Sequence, residues 1–425
     1  MSTQEKRYPE RAAPQLPSGA QDILLHDAQI KSEVLEHLRS VFRSWGYIEA
    51  VTPTFERYQT LLDGGLDPAS MLTFSDCDGD LLALRPDLTA PIARVVATRL
   101  RDLPRPMRLY YQGHIFRRPG DDRRQSVESA QAGIELIGAE QAAADAEIAA
   151  IAVESLARLG LKDFQLNLGH IGVFQGILAE ANLPGSAVSE IKQWIDRKDR
   201  NGLTRCLRDL SLTPGVRKQL FGLLKLSGRR EVLDQARRLM MSKISLAALD
   251  NLESIYEILS DYQLTDRIIL DLAEVRGLGY YTGLMFEGFS RSAPVRILSG
   301  GRYDTLIGRF GLDCPAVGCA FDIGQIRSVI QTNRLMVPQQ IDVLVRCPAT
   351  HRSEALSTAT ELRQQGLRAE LAVTPRTMEE TLAYATSRGI QAILDITADG
   401  DRMISVARGA PAPEPIRDIH KGETR

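Results

Sequence analysis

Residues 274–304, EVRGLGYYTGLMFEGFSRSAPVRILSGGRYD, gather the side chains best suited to chemistry on a small ligand. Two glycine-rich corners stand out, Arg276-Gly277-Leu278-Gly279-Tyr280-Tyr281 and Ser299-Gly300-Gly301-Arg302-Tyr303-Asp304, with a strand-like apolar run over 281–289 between them. Glycine lets backbone approach a ligand closely, while Arg and Tyr supply a fixed cation, a flat apolar wall and a hydroxyl donor. Together they suit a pocket for a small polar molecule that carries a ring. The plainer alternative is a pair of hairpin turns with core aromatics; two such corners bracketing one strand favour the pocket.

Other elements must position these residues. Ile30, Val34, Leu35, Leu38, Val41 and Phe42 recur at spacings of three and four, which predicts a helix over 27–45 with one buried stripe. A strand begins at Tyr47 and runs into Thr52-Pro53-Thr54-Phe55-Glu56; a proline there suggests a strand end or an edge against another subunit. Residues 74–84 read as a hairpin with Asp78-Gly79-Asp80 at its tip, delivering LRPDLTAP (84–91) to the next helix. Asp87 could cap that helix or point into a cleft, and local sequence favours the cap. Strands over 108–117 and 130–136 flank a charged loop, 118–125, that reads equally as a flap over a phosphate-bearing ligand or a solvated tip. A helix is expected over 141–159.

From 172 to about 259 the pattern is helical, with candidates at 187–207, 214–224 and 229–241; the cations Lys192, Arg197, Lys198, Arg200 and Arg205 read as a solvated face. A buried strand over 315–322 enters a helix at Ile323, and 331–340 is a linker. Beyond it strands (341–346, 368–373, 392–396, 403–406) alternate with helices (353–365, 377–388), which predicts a small three-layer α/β unit. The expected organisation is a lead-in (1–15), a core (16–330) with a helical insertion (about 172–260), and a C-terminal unit (341–425).

A chain of 425 residues needs more than one ordinary domain, and a formal net charge of −2 argues against a large polyanion-binding surface. The five cysteines lack CxxC spacing, so neither a zinc site nor a disulfide frame is expected. The polar, proline-containing start and the lack of a long apolar run predict a cytoplasmic protein without a membrane span. Residues 341–425 hold 11 Lys+Arg against 12 Asp+Glu, so a basic face for tRNA is not expected.

Taken in order, these motifs resemble the class II aminoacyl-tRNA synthetase family, histidyl-tRNA synthetase in particular. VTPTFE resembles the dimer-interface motif 1, LRPDLTAP the amino-acid loop, and YYQGHIFR with QAGIELIG the arms of motif 2. VRGLGYYTG and SGGRYDTLIG resemble the histidine-specific motifs, and AVGCAFDIG stands where motif 3 belongs. The resemblance implies an α+β fold: an antiparallel-sheet core with a helical insertion, plus an anticodon-binding-like α/β unit. It also implies a histidine pocket made by Asp87, Thr89, Arg117, Gln131, Glu135, Arg276, Tyr280 and Tyr281. Glu135 and a tyrosine hydroxyl would meet the imidazole nitrogens.

The nucleotide side departs from the family. Pro119 stands where a Glu would read adenine, and Gln325 where an Arg would embrace ATP; Asp322 would repel phosphates, and Gly279 replaces a usual Asp. Each charge-assisted interaction missing here is worth roughly 1.5–3 kcal/mol, so adenylation is not expected. A chain of this kind is similar to the regulatory subunits of ATP phosphoribosyltransferase, paralogues of the synthetase. The resemblance implies no catalytic residues, cofactor or metal. It implies a short-form catalytic subunit as partner, L-histidine as feedback effector, and a homodimer within a hetero-oligomer. The alternative is an active histidyl-tRNA synthetase with an atypical ATP site.

Overall fold

The computed structural model describes residues 15–118, 126–181, 183–275, 281–291, 295–333 and 341–406; residues 1–14 of the expected lead-in, most of the 118–125 loop and residues 334–340 of the linker lie outside them. The chain divides into two units, Met1–Met336 and Val337–Arg425.

In the first unit, helix α1 (Leu25–Ser44) buries Ile30, Val34, Leu38, Val41 and Phe42, the stripe its periodicity demands. Gly46, with φ +80°, turns the chain into β1 (Ile48–Glu49). β1 is short, and residues 55–57 join a different sheet, because Pro53 interrupts what the sequence suggested was one strand. That small sheet has β2 (Phe55–Arg57), then α2 (Tyr58–Asp63), β3 (Leu72–Ser75) and β4 (Leu81–Leu84). β3 and β4 form the expected hairpin, with Gly79 at φ +88°.

Helix α3 (Thr89–Thr98) leads to β5 (Met107–Phe116) and β6 (Glu128–Ile137), paired antiparallel from Met107↔Ile137 to Phe116↔Glu128. Helix α4 (Ala142–Arg158) follows, then β7 (Phe164–His170), a strand that no motif marks although Phe164, Leu166 and Leu168 alternate inward. The helical region contains α5 (Ile171–Ala181), α6 (Gly185–Asp196), α7 (Arg200–Cys206), α8 (Pro214–Leu223), the two-residue β8 (Ser227–Gly228), α9 (Glu231–Leu239) and α10 (Lys243–Asp261). The expected single helix over 187–207 is two. Lys198 takes φ +50° between them, and Asp199 caps α7 by accepting the N–H groups of Asn201 and Gly202.

β9 (Ile268–Asp271), β10 (Leu284–Ser290), β11 (Arg296–Arg302), β12 (Ala316–Asp322) and α11 (Ile323–Asn333) complete the unit. The main sheet runs β1-β5-β6-β12-β11-β10-β7-β9-β8, antiparallel except for the β1–β5 and β7–β9 pairs. Ser299-Gly300-Gly301-Arg302, expected as a corner, lies inside β11. Its glycines answer crowding instead of a turn: a Cβ on Gly300 would sit 2.5 Å from the Phe286 ring and 2.6 Å from Cys319 Cβ. Helices α1, α4 and α11 pack on one face of β6, β11 and β12. The other face carries a second cluster that includes Leu88, Ile92, Tyr111 and Tyr303.

The second unit has β13 (Val343–Arg346), α12 (Arg352–Gln364), β14 (Ala369–Leu371), α13 (Met378–Ser387), β15 (Ala392–Asp395) and β16 (Arg402–Ser405). Its sheet order is β14-β13-β15-β16, parallel except at the β16 edge. Val343 and Val345 face one core cluster, Leu344 and Ile393 another, so helices cover both faces as the alternating pattern predicted.

Candidate functional site

Strand alternation builds the site. On β6, Ala132, Ile134 and Leu136 point into the helix-covered core, which turns Gln131 and Glu135 to the opposite face. There they line a cleft of about 920 Å³ with Asp87, Thr89, Arg117, Tyr281, Ser299, Gly300, Tyr303, Gly318 and Cys319. Six of the eight sequence-predicted residues are therefore brought together. Arg276 and Tyr280 lie outside the described residues.

Glu135 is the floor of the cleft, with 1% of its surface exposed. Tyr111 donates its hydroxyl to Oε1 at 3.2 Å, and Tyr303 donates to Oε2 at 2.5 Å. Burial pushes its pKa up to about 8, against the pull of the hydrogen bonds from Tyr303, Thr89 and Tyr111. Position 318 admits only glycine, since a Cβ there would lie 1.6 Å from Glu135 Oε2. The tyrosines are fixed in turn: Tyr111 is buried on β5, and its hydroxyl lies 3.4 Å from Thr89 Oγ1.

Asp87, 2% exposed, does both jobs the sequence allowed. Its Oδ1 accepts the Ala90 N–H at 3.2 Å in the first turn of α3, while its buried Oδ2 has no hydrogen-bond partner among the described residues. Burial raises its pKa, opposed by the Ala90 N–H and the Arg117 charge. A buried carboxylate oxygen without a donor is costly, and it marks where a cationic ligand group gains most. Gln131 accepts the Leu88 N–H at 3.2 Å, tying β6 to the Asp87 turn. Arg117, just past the end of β5, donates Nε to the Pro86 carbonyl at 2.8 Å.

Tyr281 stands over β11, so close that a Cβ on Gly301 would meet its ring at 2.9 Å. Burial raises its hydroxyl pKa. Cys319, on β12, pairs with Ile134, so its side chain points into the helix-covered core, and burial with the Glu135 charge pushes its thiol well above the usual range.

The other end of the cleft differs. Asp322 Oδ1 accepts the Gln325 N–H at 3.0 Å, so the carboxylate expected to repel phosphates serves the first turn of α11. Glu128 is held by His114 at 2.5 Å, at 45% exposure. Motif matching missed the roles of Tyr111, Tyr303 and Gly318. Both tyrosines lie inside quoted motifs, and their pairing on one carboxylate becomes visible only when β5, β6 and the end of β11 are assembled. Among the described residues no group of three or more His, Cys, Asp or Glu could hold a metal, and no helix is long and apolar enough to cross a membrane.

The family model for histidyl-tRNA synthetase matches residues 19–326 of this chain. A curated ATP phosphoribosyltransferase regulatory subunit from Syntrophotalea carbinolica is 34% identical over 96% of this chain and 97% of its own length. The crystal structure of an ATP phosphoribosyltransferase regulatory subunit/histidyl-tRNA synthetase from Bacillus halodurans superposes with a TM-score of 0.81 at 28% identity, covering 92% of this chain and all of that one. A histidyl-tRNA synthetase from Nostoc sp. PCC 7120 also gives 0.81, over 93% of this chain and 97% of that one. At 22% identity, that last likeness speaks to fold alone.

Proposed function

This chain belongs to the family of ATP phosphoribosyltransferase regulatory subunits, and we propose that its cleft is where L-histidine acts on the transferase. The chain assembles with a short-form catalytic subunit, which carries out the first step of histidine biosynthesis, and itself contributes no catalytic group. Histidine enters as end product. Its α-ammonium neutralises Asp87 Oδ2, and an imidazole N–H donates to Glu135 between the Tyr111 and Tyr303 hydroxyls. Thr89, Gln131 and Arg117 shape the amino-acid end, while Tyr281 walls the ring. Arg276 and Tyr280 keep the carboxylate and ring roles that the family motifs suggest.

One observation carries the reading: two buried carboxylates, Asp87 and Glu135, share a cleft, and Asp87 Oδ2 has no hydrogen-bond partner among the described residues. A ligand with two cationic or N–H donor groups satisfies both. The outer end supports regulation instead of adenylation, because Gln325 offers no fixed cation where the synthetase motif has one.

The active form is proposed to contain a homodimer of this chain. Ile48, Val51, Phe55, Phe74 and Leu81 are large apolar residues left exposed around β1 and the small sheet, Val51 at 82%. Such a patch fits a second copy at the motif 1 edge. The test is reconstitution with the catalytic subunit. Full activity should require both chains, and L-histidine should inhibit the complex with wild-type protein but not with Glu135→Ala. Equal inhibition of both complexes would rule the cleft out as the effector site.

A further inference from the structure

The helical insertion is joined to the cleft at one wall. β9 ends at Asp271, and the chain continues through Leu272 and Ala273 to Glu274, which lines the cleft. The insertion holds this short wall in three ways. Its strand β8 pairs with β9, Ser227 opposite Asp271 and Gly228 opposite Leu270. The Leu272 N–H donates to the Leu226 carbonyl at 3.0 Å. Lys198, from the turn between α6 and α7, donates Nζ to Asp271 Oδ2 at 2.5 Å.

The Asp271–Lys198 pair is asymmetric. The Asp271 side chain is 4% exposed and that of Lys198 46%, so a surface lysine reaches in to neutralise a buried carboxylate. Asp271 Oδ1 accepts the Ala273 N–H at 3.2 Å, and the Asp271 carbonyl accepts the Glu274 N–H at 3.1 Å, so this residue sets the turn that aims Glu274. Lys198 does this from a left-handed backbone, φ +50°, which an L-residue with a side chain adopts at a cost. Glycine would relieve that cost and lose the ammonium.

We infer that Lys198 is a positioning residue for the ligand cleft: through Asp271 it fixes the 271–274 wall, so that the helical insertion and the amino-acid site report on each other's placement. The histidine part of this inference rests on the function proposed above, but the wall itself does not. A shift of α6 and α7 moves the Lys198 ammonium, changes the Asp271 turn and alters the wall beside the ligand. Conversely, a ligand that fixes the wall fixes the turn between those helices.

The test uses the full chain and three variants, Lys198→Ala, Lys198→Gly and Lys198→Arg, read by amide hydrogen exchange across residues 271–275 and by L-histidine titration. The alanine and glycine variants should both speed exchange in this segment about tenfold, and arginine should restore most of the protection. L-histidine affinity should fall about tenfold in the first two and recover in the third. Faster exchange in alanine but not in glycine would mean that backbone strain, not the ammonium, governs the wall, and would overturn the inference. So would unchanged exchange in both, or faster exchange with unchanged histidine affinity. If the wild-type chain binds no L-histidine, the proposed effector fails, while the exchange results still decide whether Lys198 holds the wall.

Discussion

The two ends of the cleft are built by different rules. At the Glu135 end Asp87, Gln131, Glu135, Tyr111 and Tyr303 are all buried, and each is tied to another group. Two tyrosines, Tyr111 on β5 and Tyr303 just past β11, hold one carboxylate, Gly318 makes room for it, and Gln131 ties the Asp87 turn to β6. At the Asp322 end the carboxylates are more exposed and serve local structure, a helix start in one case and a His–Glu pair in the other. A preorganised, buried end suits recognition of a specific small molecule, because each group misplaced there carries a desolvation cost. An open end whose groups are already engaged locally imposes no such demand. On the function proposed above, a fold shared with an aminoacylating enzyme keeps one half of its ligand chemistry and gives up the other.

The sharpest way to break this contrast is at Glu135. Glu135→Ala should weaken L-histidine binding by more than about 100-fold, since a buried charged hydrogen bond contributes roughly 1.5–3 kcal/mol and the two tyrosine hydroxyls also lose their acceptor. Calorimetry measures the loss, and circular dichroism should show the fold retained. Gly318→Ala should approach the same loss through sterics alone, with a lower melting temperature, because the new methyl displaces the Glu135 carboxylate.

Asp87→Asn should cost less, about 10–100-fold for L-histidine, and nothing for imidazolepropionate, which lacks the ammonium. Equal loss for both ligands would move the ammonium site elsewhere. At the other end, Gln325→Arg should leave ATP-pyrophosphate exchange undetectable, since one restored cation does not supply the side-chain acceptor for adenine that Pro119 lacks. Detectable exchange would show that the two ends differ by a single residue.

Glu135 also gives the protein a pH dependence. Its pKa rises from the ordinary value of 4.5 to about 8 on folding, so the unliganded protein holds a proton that the unfolded chain has released. The contribution to stability is full below pH 4.5 and is lost as pH rises through about 8. Glu135→Gln should flatten that slope in melting curves taken from pH 5 to 8. Histidine binding places one proton between the imidazole, ordinarily titrating near pH 6.5, and Glu135. Affinity should therefore be level between roughly pH 6.5 and 8 and fall on either side.

Much of this was legible in the sequence, though unevenly. Periodicity placed α1, the β3–β4 hairpin and the C-terminal alternation, because local patterns and tertiary burial agree there. Motif order brought Asp87, Gln131 and Glu135 to one cleft. The SGGRYD glycines misled because a turn and a crowded strand use the same residue for opposite reasons: conformational freedom in one, missing volume in the other. Lys198 read as solvated surface because its partner, Asp271, lies 73 residues away at the end of a strand with no motif of its own. Tyr111 and Tyr303 stand 24 and 168 residues from Glu135 in the chain, and strand pairing alone brings them to it.

Whether one end of the cleft is a working amino-acid site and the other is not a nucleotide site is tested most directly by calorimetry. The purified chain is titrated with L-histidine and, separately, with ATP. The expected result is saturable histidine binding, abolished in Glu135→Ala, and no heat of binding with ATP. ATP binding with histidine-dependent pyrophosphate exchange, or histidine binding that survives Glu135→Ala unchanged, would contradict it.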